Sequence, residues 1–244
     1  MVRRISDGRE ALLARVDNPY VRAMTSRGTV TAYLSGGALG WSGPGIWGRV
    51  ASIVGPADEG GALLSAVRDA GWVDDVAWYH LPPGTPTPVP VADVFDWKFK
   101  WSTAPPAPGD GPDVDLLTEN DHPEVNRILD AALPDSAARP GSRNVRAWYG
   151  IHRDGRLIAC AADQSRTGAE VGFFGGVAVD PAYQGRGLGT ALTLALAARL
   201  HAEFGPVALA VMGDNPRAIG LYDRLGFAAT VPRLTVRLTP EAPA

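Results

Sequence analysis

The 244-residue sequence contains a single cysteine, Cys160, so it cannot form an internal disulfide and gives no indication of an oxidising compartment. Its formal net charge of −3 provides no broad positive field, which argues against a nucleic-acid partner. No apolar run approaches the ~20 residues that a membrane-spanning helix needs, and the amino terminus lacks the apolar stretch of a secretory signal. We therefore expect a cytoplasmic protein with no membrane partner.

Motifs of several enzyme classes are also missing. The four histidines lack the spacing of a zinc site, so no metal is expected. No Gly-x-Ser-x-Gly elbow occurs, which excludes the usual signature of an α/β-hydrolase. A Walker A loop needs a lysine after its glycines, but the two lysines, Lys98 and Lys100, precede every glycine-rich turn of the second half.

Glycine and proline, by contrast, are abundant, with 29 and 21 residues. The segment 103–113 contains six of them, which predicts an extended linker there. Because 45% of the residues are hydrophobic, the chain has enough apolar material for ordered cores. Its length predicts one large or two small domains, and we expect a first domain over 1–102 and a second over 114–244.

The second half alternates strand and helix patterns. The Asp154-Gly155 turn lies between two β-type runs and predicts a hairpin. The nearly continuous apolar run 171–179 predicts a central strand, and leucines at four-residue steps predict a helix from about 187 to 203. A further strand, a short helix and a last strand are expected at 207–212, 216–225 and 234–238.

The first half has a similar order of strand, proline break, helix and strand, at 29–34, 49–54, 62–70, 76–81 and 94–101. This order predicts a degenerate structural repeat of the second half. The glycine run Gly36–Gly45 predicts a hairpin loop, and a lid over a substrate site is the alternative. The expected fold class is α/β (α+β), a mixed central sheet flanked by helices.

The stretch 177–190 carries the clearest functional signal, because a buried strand enters a glycine-rich turn that opens a helix. Gly185, Gly187 and Gly189 allow a tight turn with exposed N–H groups at the helix N-terminus, which suits a pyrophosphate. A turn whose glycines serve only steric fit is the alternative. A dinucleotide fingerprint does not fit, because Thr190 stands where its third glycine or alanine is required.

A second motif surrounds Tyr222. Asn215 can cap a helix that Pro216 opens, and Gly226 supplies a left-handed stop. Asn215, Ala218 and Tyr222 then share one face of that helix. Taken alone, this pattern is also typical of a packed tyrosine in a capped helix.

Together the two motifs resemble the GCN5-related N-acetyltransferase (GNAT) family over roughly 114–238. Gln184, Gly187 and Gly189 occupy the places of its acyl-CoA signature, Gln/Arg-x-x-Gly-x-Gly. The segment from Asn215 to Tyr222 matches Asn-x-x-Ala-x-x-x-Tyr, and Leu-Gly-Phe follows at 225–227. The resemblance implies two tandem GNAT-like halves with the second active. The first half, which carries acidic side chains in the corresponding turn, would be a degenerate copy or a substrate or docking domain.

The resemblance implies that acetyl-CoA, as co-substrate, donates an acetyl group to a primary amine by direct attack and without a metal. Backbone groups of the strand would bind the pantetheine arm, and the turn would hold the pyrophosphate. Tyr222 would act as the general acid that protonates the leaving thiolate. The implied cofactor-binding residues are Val177, Ala178, Val179, Gln184, Gly185, Arg186, Gly187, Leu188, Gly189, Thr190 and Asn215.

The general base is left open. Family members that acetylate proteins often carry a glutamate where this sequence has Phe173, so a small-molecule amine is favoured over a peptide amine. Glu170 is the candidate base, and Asp163 and a water chain are alternatives. A non-catalytic acyl-CoA-binding module with an amino-terminal partner-docking domain is the alternative function, and a homodimer is left open.

Overall fold

The computed structural model describes residues 1–45, 48–107, 111–166 and 169–239. Its strands are β1 (Arg3–Ile5), β2 (Thr31–Ser35), β3 (Ala38–Gly45), β4 (Gly48–Val54), β5 (Trp78–Leu81), β6 (Val91–Ser102), β7 (Asp115–Leu116), β8 (Ala147–Arg153), β9 (Arg156–Asp163), β10 (Gly172–Val179), β11 (Val207–Met212) and β12 (Ala229–Leu238). Its α-helices are α1 (Arg9–Leu13), α2 (Pro19–Thr25), α3 (Ala57–Asp69), α4 (His122–Ala132), α5 (Leu188–Phe204) and α6 (Pro216–Arg224). Short 3₁₀ turns occupy Glu119–Asp121 and Pro181–Tyr183.

The chain divides into two units, and neither is one continuous stretch. The first unit comprises Met1–Phe99, Val211–Asn215 and Val231–Ala244, and the second comprises Lys100–Ala210 and Pro216–Thr230. The last strand joins the first unit because β12 pairs antiparallel with β5, which places Leu234 opposite Leu81 and Val236 opposite Tyr79. A domain boundary within 103–113 stays a prediction.

The first unit is built on a mixed sheet. Strands β1 to β4 form an antiparallel meander, and β4 then pairs in parallel with β5 through the crossover helix α3. Helix α3 buries Leu63, Leu64 and Val67, which belong to the same core cluster as Ile53 of β4 and Tyr79 of β5. This burial of one helix face explains the position of the crossover helix.

The glycine run that predicted a hairpin loop contains a strand instead, so that prediction is wrong beyond Gly37. Strand β3 pairs with β2 on one side and with β4 on the other. Trp41 in its middle is 1% exposed, and a Cβ atom at Gly43 would lie 2.7 Å from Cγ1 of Val30. Glycine therefore serves close packing inside the sheet here, a role that composition alone does not distinguish from a loop.

The second unit also contains a mixed sheet. The hairpin at Asp154-Gly155 is confirmed, since β8 and β9 pair antiparallel up to Arg153 opposite Arg156. Strand β10 is central, as predicted, because it pairs antiparallel with β9 and in parallel with β11. Helix α5 connects β10 to β11 and buries Leu192, Leu196 and Leu200.

Both units thus share one order of elements: an antiparallel meander, a crossover helix, and a strand in parallel with the last strand of the meander. The predicted fold class, a mixed α/β protein with helices flanking a mixed sheet, is confirmed. Among the described residues, no helix combines the length and the apolar composition needed to cross a bilayer.

Candidate active site

Strand β10 loses its pairing with β11 partway along its length but stays paired with β9. Its parallel register with β11 runs from Gly172 opposite Val207 to Phe174 opposite Leu209. An irregularity in its pairing with β9 follows, between Gly175 and Ala178, where one extra residue is accommodated on β10. Beyond Phe174, the backbone of β10 on the side of β11 is therefore available to another hydrogen-bonding partner, within the described part of the chain.

The three strand residues predicted to contact the cofactor lie at and after this bulge. Ala178 is 3% exposed and belongs to the core cluster that includes Val125 and Ile128 of α4. Val177 and Val179 are half-buried. Because side chains alternate along a strand, Val177 and Val179 face away from the α4 core, and the backbone between them lies at the edge that β11 leaves.

The turn after β10 has the tight backbone conformation that was predicted from its glycines. Gly185 and Gly187 adopt φ angles of +77° and +79°, a conformation that other residues adopt only with strain. A Cβ atom at either position would meet no atom within 4 Å. Both glycines are therefore required by the backbone, and both border open space that a ligand could occupy.

The start of α5 leaves several amide donors without a helical acceptor. Gly187 is the N-cap and provides no side-chain hydrogen bond, and the first backbone bond of the helix joins the Ala191 N–H to the Gly187 carbonyl at 3.0 Å. The N–H groups of Leu188, Gly189 and Thr190 precede that bond. They and the dipole of this 17-residue helix make the turn suitable for an anion.

Two polar side chains of the turn donate hydrogen bonds to the backbone just before it. Gln184 donates from Nε2 to the Val179 carbonyl at 3.2 Å and so ties the turn to the end of β10. Arg186 donates from Nη2 to the Ala182 carbonyl at 3.3 Å, and its guanidinium lies 5.2 Å from the centre of the Tyr183 ring. Gln184 and Arg186 are both exposed.

Tyr222 of α6 is connected to β10 through aromatic packing. Its ring packs edge to face against Phe227 at 6.2 Å, and Phe227 packs in the same way against Phe174 at 5.7 Å. Phe174 is the residue at which the register with β11 ends. Burial raises the pKa of Tyr222 to about 12, so the phenol keeps its proton throughout the neutral range.

Helix α6 also packs beside the start of α5. A Cβ atom at Gly189 would lie 4.0 Å from Cδ2 of Leu221. Tyr222 belongs to the second unit, as do the bulge and the glycine turn (residues 184–190). Asn215 directly precedes α6 in the chain, belongs to the first unit, and donates its N–H to the Met212 carbonyl at 3.2 Å.

The candidate bases occupy different surroundings. Glu170 is exposed at a bend before the amino end of β10. At the usual rise of about 3.3 Å per residue, it lies on the order of 20 Å along the strand from the bulge. Asp163 of β9 is fully buried, and its oxygens accept hydrogen bonds from Nε of Arg146 at 2.7 Å and from the Ser165 N–H at 2.9 Å.

One ion pair beside the glycine turn was not predicted from the sequence. Asp180 directly follows β10, is 6% exposed, and accepts a hydrogen bond at 2.7 Å from Nη1 of Arg127 on α4. Arg127, and then the Ala182 N–H, hold the pKa of Asp180 below its usual value. The two residues are 53 positions apart, so only the folded chain reveals their contact.

The described residues contain no group of three or more His, Cys, Asp or Glu side chains arranged to hold a metal ion. Cys160 is buried in β9, and burial raises the pKa of its thiol to about 12. A thiolate nucleophile at neutral pH is therefore not available at this position.

One family match falls in the second half of the chain. The model of the Acetyltransferase (GNAT) family matches residues 114–227. A mycothiol acetyltransferase of Nocardiopsis dassonvillei is 38% identical over 123 residues, which cover 44% of this chain and 35% of that protein. The match thus spans about a third of the length of that relative.

Solved structures resemble nearly the whole chain. A GNAT-family protein of Novosphingobium aromaticivorans has a TM-score of 0.61 and 25% identity, with 86% of this chain and 91% of that chain covered. A tandem GNAT protein from the clavulanic acid biosynthesis pathway has a TM-score of 0.53 and 16% identity over 99% of this chain and 100% of its own, which shows likeness of fold alone. With both motifs, the bulged strand and the family match in the same segment, residues 114–227 belong to the GNAT family of acetyltransferases.

Proposed function

We propose that the chain is an N-acetyltransferase that transfers the acetyl group of acetyl-CoA to a primary amine, with a small molecule favoured over a peptide. The observation that carries the proposal is the bulge of β10 followed directly by an open glycine turn at the start of α5. A thioester arm needs unpaired backbone groups and a pyrophosphate needs amide donors, and this segment offers both within about fifteen residues.

The residues present fit acetyl-CoA. The backbone of Val177, Ala178 and Val179 would bind the pantetheine arm, and one N–H there would polarise the thioester carbonyl. The pyrophosphate would lie against the turn formed by Gln184, Gly185, Arg186, Gly187, Leu188, Gly189 and Thr190. Asn215, at the start of the segment that leads into α6, would lie near the cofactor.

The amine nitrogen attacks the carbonyl carbon, the carbon–sulfur bond breaks, and Tyr222 gives its proton to the departing thiolate. With a pKa of about 12, the Tyr222 phenol is a weaker acid than an exposed tyrosine. Burial also raises the pKa of the Cys160 thiol to about 12. A departing thiolate that is shielded from water would become more basic for the same reason, which would favour transfer of the phenol proton.

The amine must lose a proton before or during attack, and Glu170, Asp163 and water are the candidates for accepting it. Glu170 would need a chain of several waters to accept the proton, because its distance from the bulge along β10 is on the order of 20 Å, beyond the reach of one bridging water. Asp163 would have to release hydrogen bonds from Arg146 and Ser165. The variants Glu170→Gln and Asp163→Asn separate them, since loss of the base removes the acidic limb of the pH profile of kcat/KM.

The acceptor is proposed from the relatives. The curated relatives are named mycothiol acetyltransferases, so the amine acceptor of those enzymes is the first candidate to test. The matched segments cover only 35 to 43% of those proteins, which is why other small amines belong in the same panel.

The test incubates the purified chain with acetyl-CoA and a broad panel of amines and peptides, and measures free CoA. Turnover with a small amine is expected. Binding of acetyl-CoA with no turnover on any acceptor would favour a non-catalytic acyl-CoA-binding module. Absence of binding would contradict both functions.

A further inference from the structure

The carboxylate of Asp180 connects the 3₁₀ turn that precedes the glycine turn to helix α4. Oδ1 accepts a hydrogen bond from the Ala182 N–H at 3.0 Å, within the 3₁₀ turn that follows β10. Oδ2 accepts a hydrogen bond from Nη1 of Arg127 at 2.7 Å. The Asp180 side chain is 8% exposed, so its carboxylate is largely shielded from water.

Arg127 is itself fixed by two further groups. Its Nε and Nη2 donate to the carboxylate of Glu124 at 3.1 and 3.0 Å, and Nη2 also donates to the Leu157 carbonyl of β9 at 2.9 Å. Nη2 of Arg156 lies 3.5 Å from Oδ2 of Asp180. Arg127 therefore holds Asp180 from an anchored position between α4 and the sheet.

The charges of the four side chains in this network sum to zero. Two guanidinium groups, on Arg127 and Arg156, offset the carboxylates of Glu124 and Asp180. This balance matters because Asp180 lies only a few residues before the turn proposed to hold a pyrophosphate. An uncompensated carboxylate there would repel the phosphates.

The backbone of Ala182 carries the effect of Asp180 into the turn. Its N–H is bound by Asp180, and its carbonyl accepts the Arg186 guanidinium at 3.3 Å. The Tyr183 N–H donates in addition to the Asp180 carbonyl at 2.8 Å. Asp180 therefore binds the N–H groups of two consecutive residues, Ala182 and Tyr183, just before the chain enters Gly185 and Gly187.

We propose that Arg127 and Asp180 are positioning residues for the glycine turn, acting on the pyrophosphate end of acetyl-CoA and not on the acetyl group. This inference rests on the proposed function. It predicts that variants of either residue lose affinity for ligands that contain a pyrophosphate and keep their affinity for ligands that lack it. A purely structural pair would instead affect every substrate equally.

The test compares two acetyl donors in the Arg127→Ala variant. Acetyl-CoA contains the pyrophosphate, and S-acetylpantetheine lacks it. The KM for acetyl-CoA and the calorimetric Kd of CoA should rise about 10- to 100-fold, since a small displacement of positioning groups has effects of this size. kcat and the kinetic constants for S-acetylpantetheine should change less than about twofold.

Arg22→Ala is the matched control. Arg22 also lies on a helix, binds a carboxylate, Asp17, and has a side chain 30% exposed, against 32% for Arg127. The control should leave both donors unaffected. Asp180→Ala should also raise the Kd of CoA, because the Ala182 N–H loses its acceptor, but by less than Arg127→Ala, which in addition leaves the Asp180 carboxylate less compensated. The double variant should lose no more than the larger single effect, because the two side chains act as one unit.

Equal losses with both donors, or no change in the Kd of CoA, would overturn the positioning role. If Arg127→Ala does not fold, Arg127→Lys tests the same point, since it keeps the charge, loses the fork to Glu124 and Asp180, and should give an intermediate rise in Kd. Failure of the unmodified chain to bind CoA would instead overturn the proposed function.

Discussion

The ring of Tyr222 meets the ring of Phe227 edge to face, with 6.2 Å between centroids and 74° between ring planes. This contact is made by the ring and not by the hydroxyl of Tyr222. Phe227 in turn packs on Phe174 of β10. Removal of the hydroxyl alone should therefore leave the packing intact. The chemical role of Tyr222 can be separated from its structural role for that reason.

Tyr222→Phe should lower kcat by about 10²- to 10⁴-fold, the range expected for loss of a general acid. Steady-state kinetics and calorimetry should show little change in the Kd of acetyl-CoA. Tyr79→Phe is the control, because Tyr79 is a buried tyrosine of the first unit and should not affect the rate. A normal kcat in Tyr222→Phe would remove Tyr222 from the mechanism.

Burial of Tyr222 should also make the stability of the fold depend on pH in the alkaline range. The native pKa of about 12 exceeds the ordinary value of 10.0, so the contribution is complete below pH 10 and is lost as the pH rises towards 12. The two pH units correspond to at most about 3 kcal/mol.

Urea unfolding between pH 9 and pH 12 measures this effect. The free energy of unfolding should fall less steeply in Tyr222→Phe than in the unmodified chain. The comparison is needed because burial also raises the pKa of Tyr20 and Tyr79. Identical slopes in the two proteins would show that Tyr222 does not ionise from a buried state.

Gly187→Ala should weaken acetyl-CoA binding by more than its effect on stability explains. Alanine at a φ of +79° is strained by about 1–2 kcal/mol. Gly155→Ala imposes similar strain at +74° in the β8–β9 hairpin, also with no atom within 4 Å of the added Cβ. Both variants should lose similar stability in thermal unfolding, but only Gly187→Ala should raise the Kd. Equal Kd values for acetyl-CoA in the two variants would contradict the assignment of this turn to cofactor binding.

Cys160 should resist thiol reagents in the folded protein. Its pKa of about 12 and its burial in β9 leave almost no accessible thiolate at pH 8. Absorbance with a disulfide reagent should show slow labelling that becomes rapid in urea. Rapid labelling of the native chain would contradict the buried position of this strand.

Local sequence signals predicted the parts of the fold that depend on neighbouring residues. The Asp154-Gly155 hairpin and the leucine face of α5 follow from turn chemistry and helical spacing. The turn at Gly185 and Gly187 was predicted for the same reason, since positive φ angles favour glycine.

Features that join distant segments were not predictable from one sequence. The contact of Arg127 with Asp180 and the pairing of β12 with β5 depend on tertiary packing. The glycines of β3 pack against neighbouring strands, although their composition is typical of a loop. The bulge in β10, by contrast, falls at the Gly175-Gly176 pair, where Gly176 has a φ of +59°, and glycines inside a strand pattern are a local signal that could have indicated it.

The central claim is that the glycine turn of the second half binds acetyl-CoA, and calorimetric titration of the purified chain with acetyl-CoA tests it most directly. The account predicts one molecule bound per chain, because the corresponding turn of the first half carries Asp58 and Glu59 in the first helical turn of α3. Gly187→Ala should weaken that binding while Gly155→Ala does not. No binding, or binding equally strong in both variants, would contradict the account.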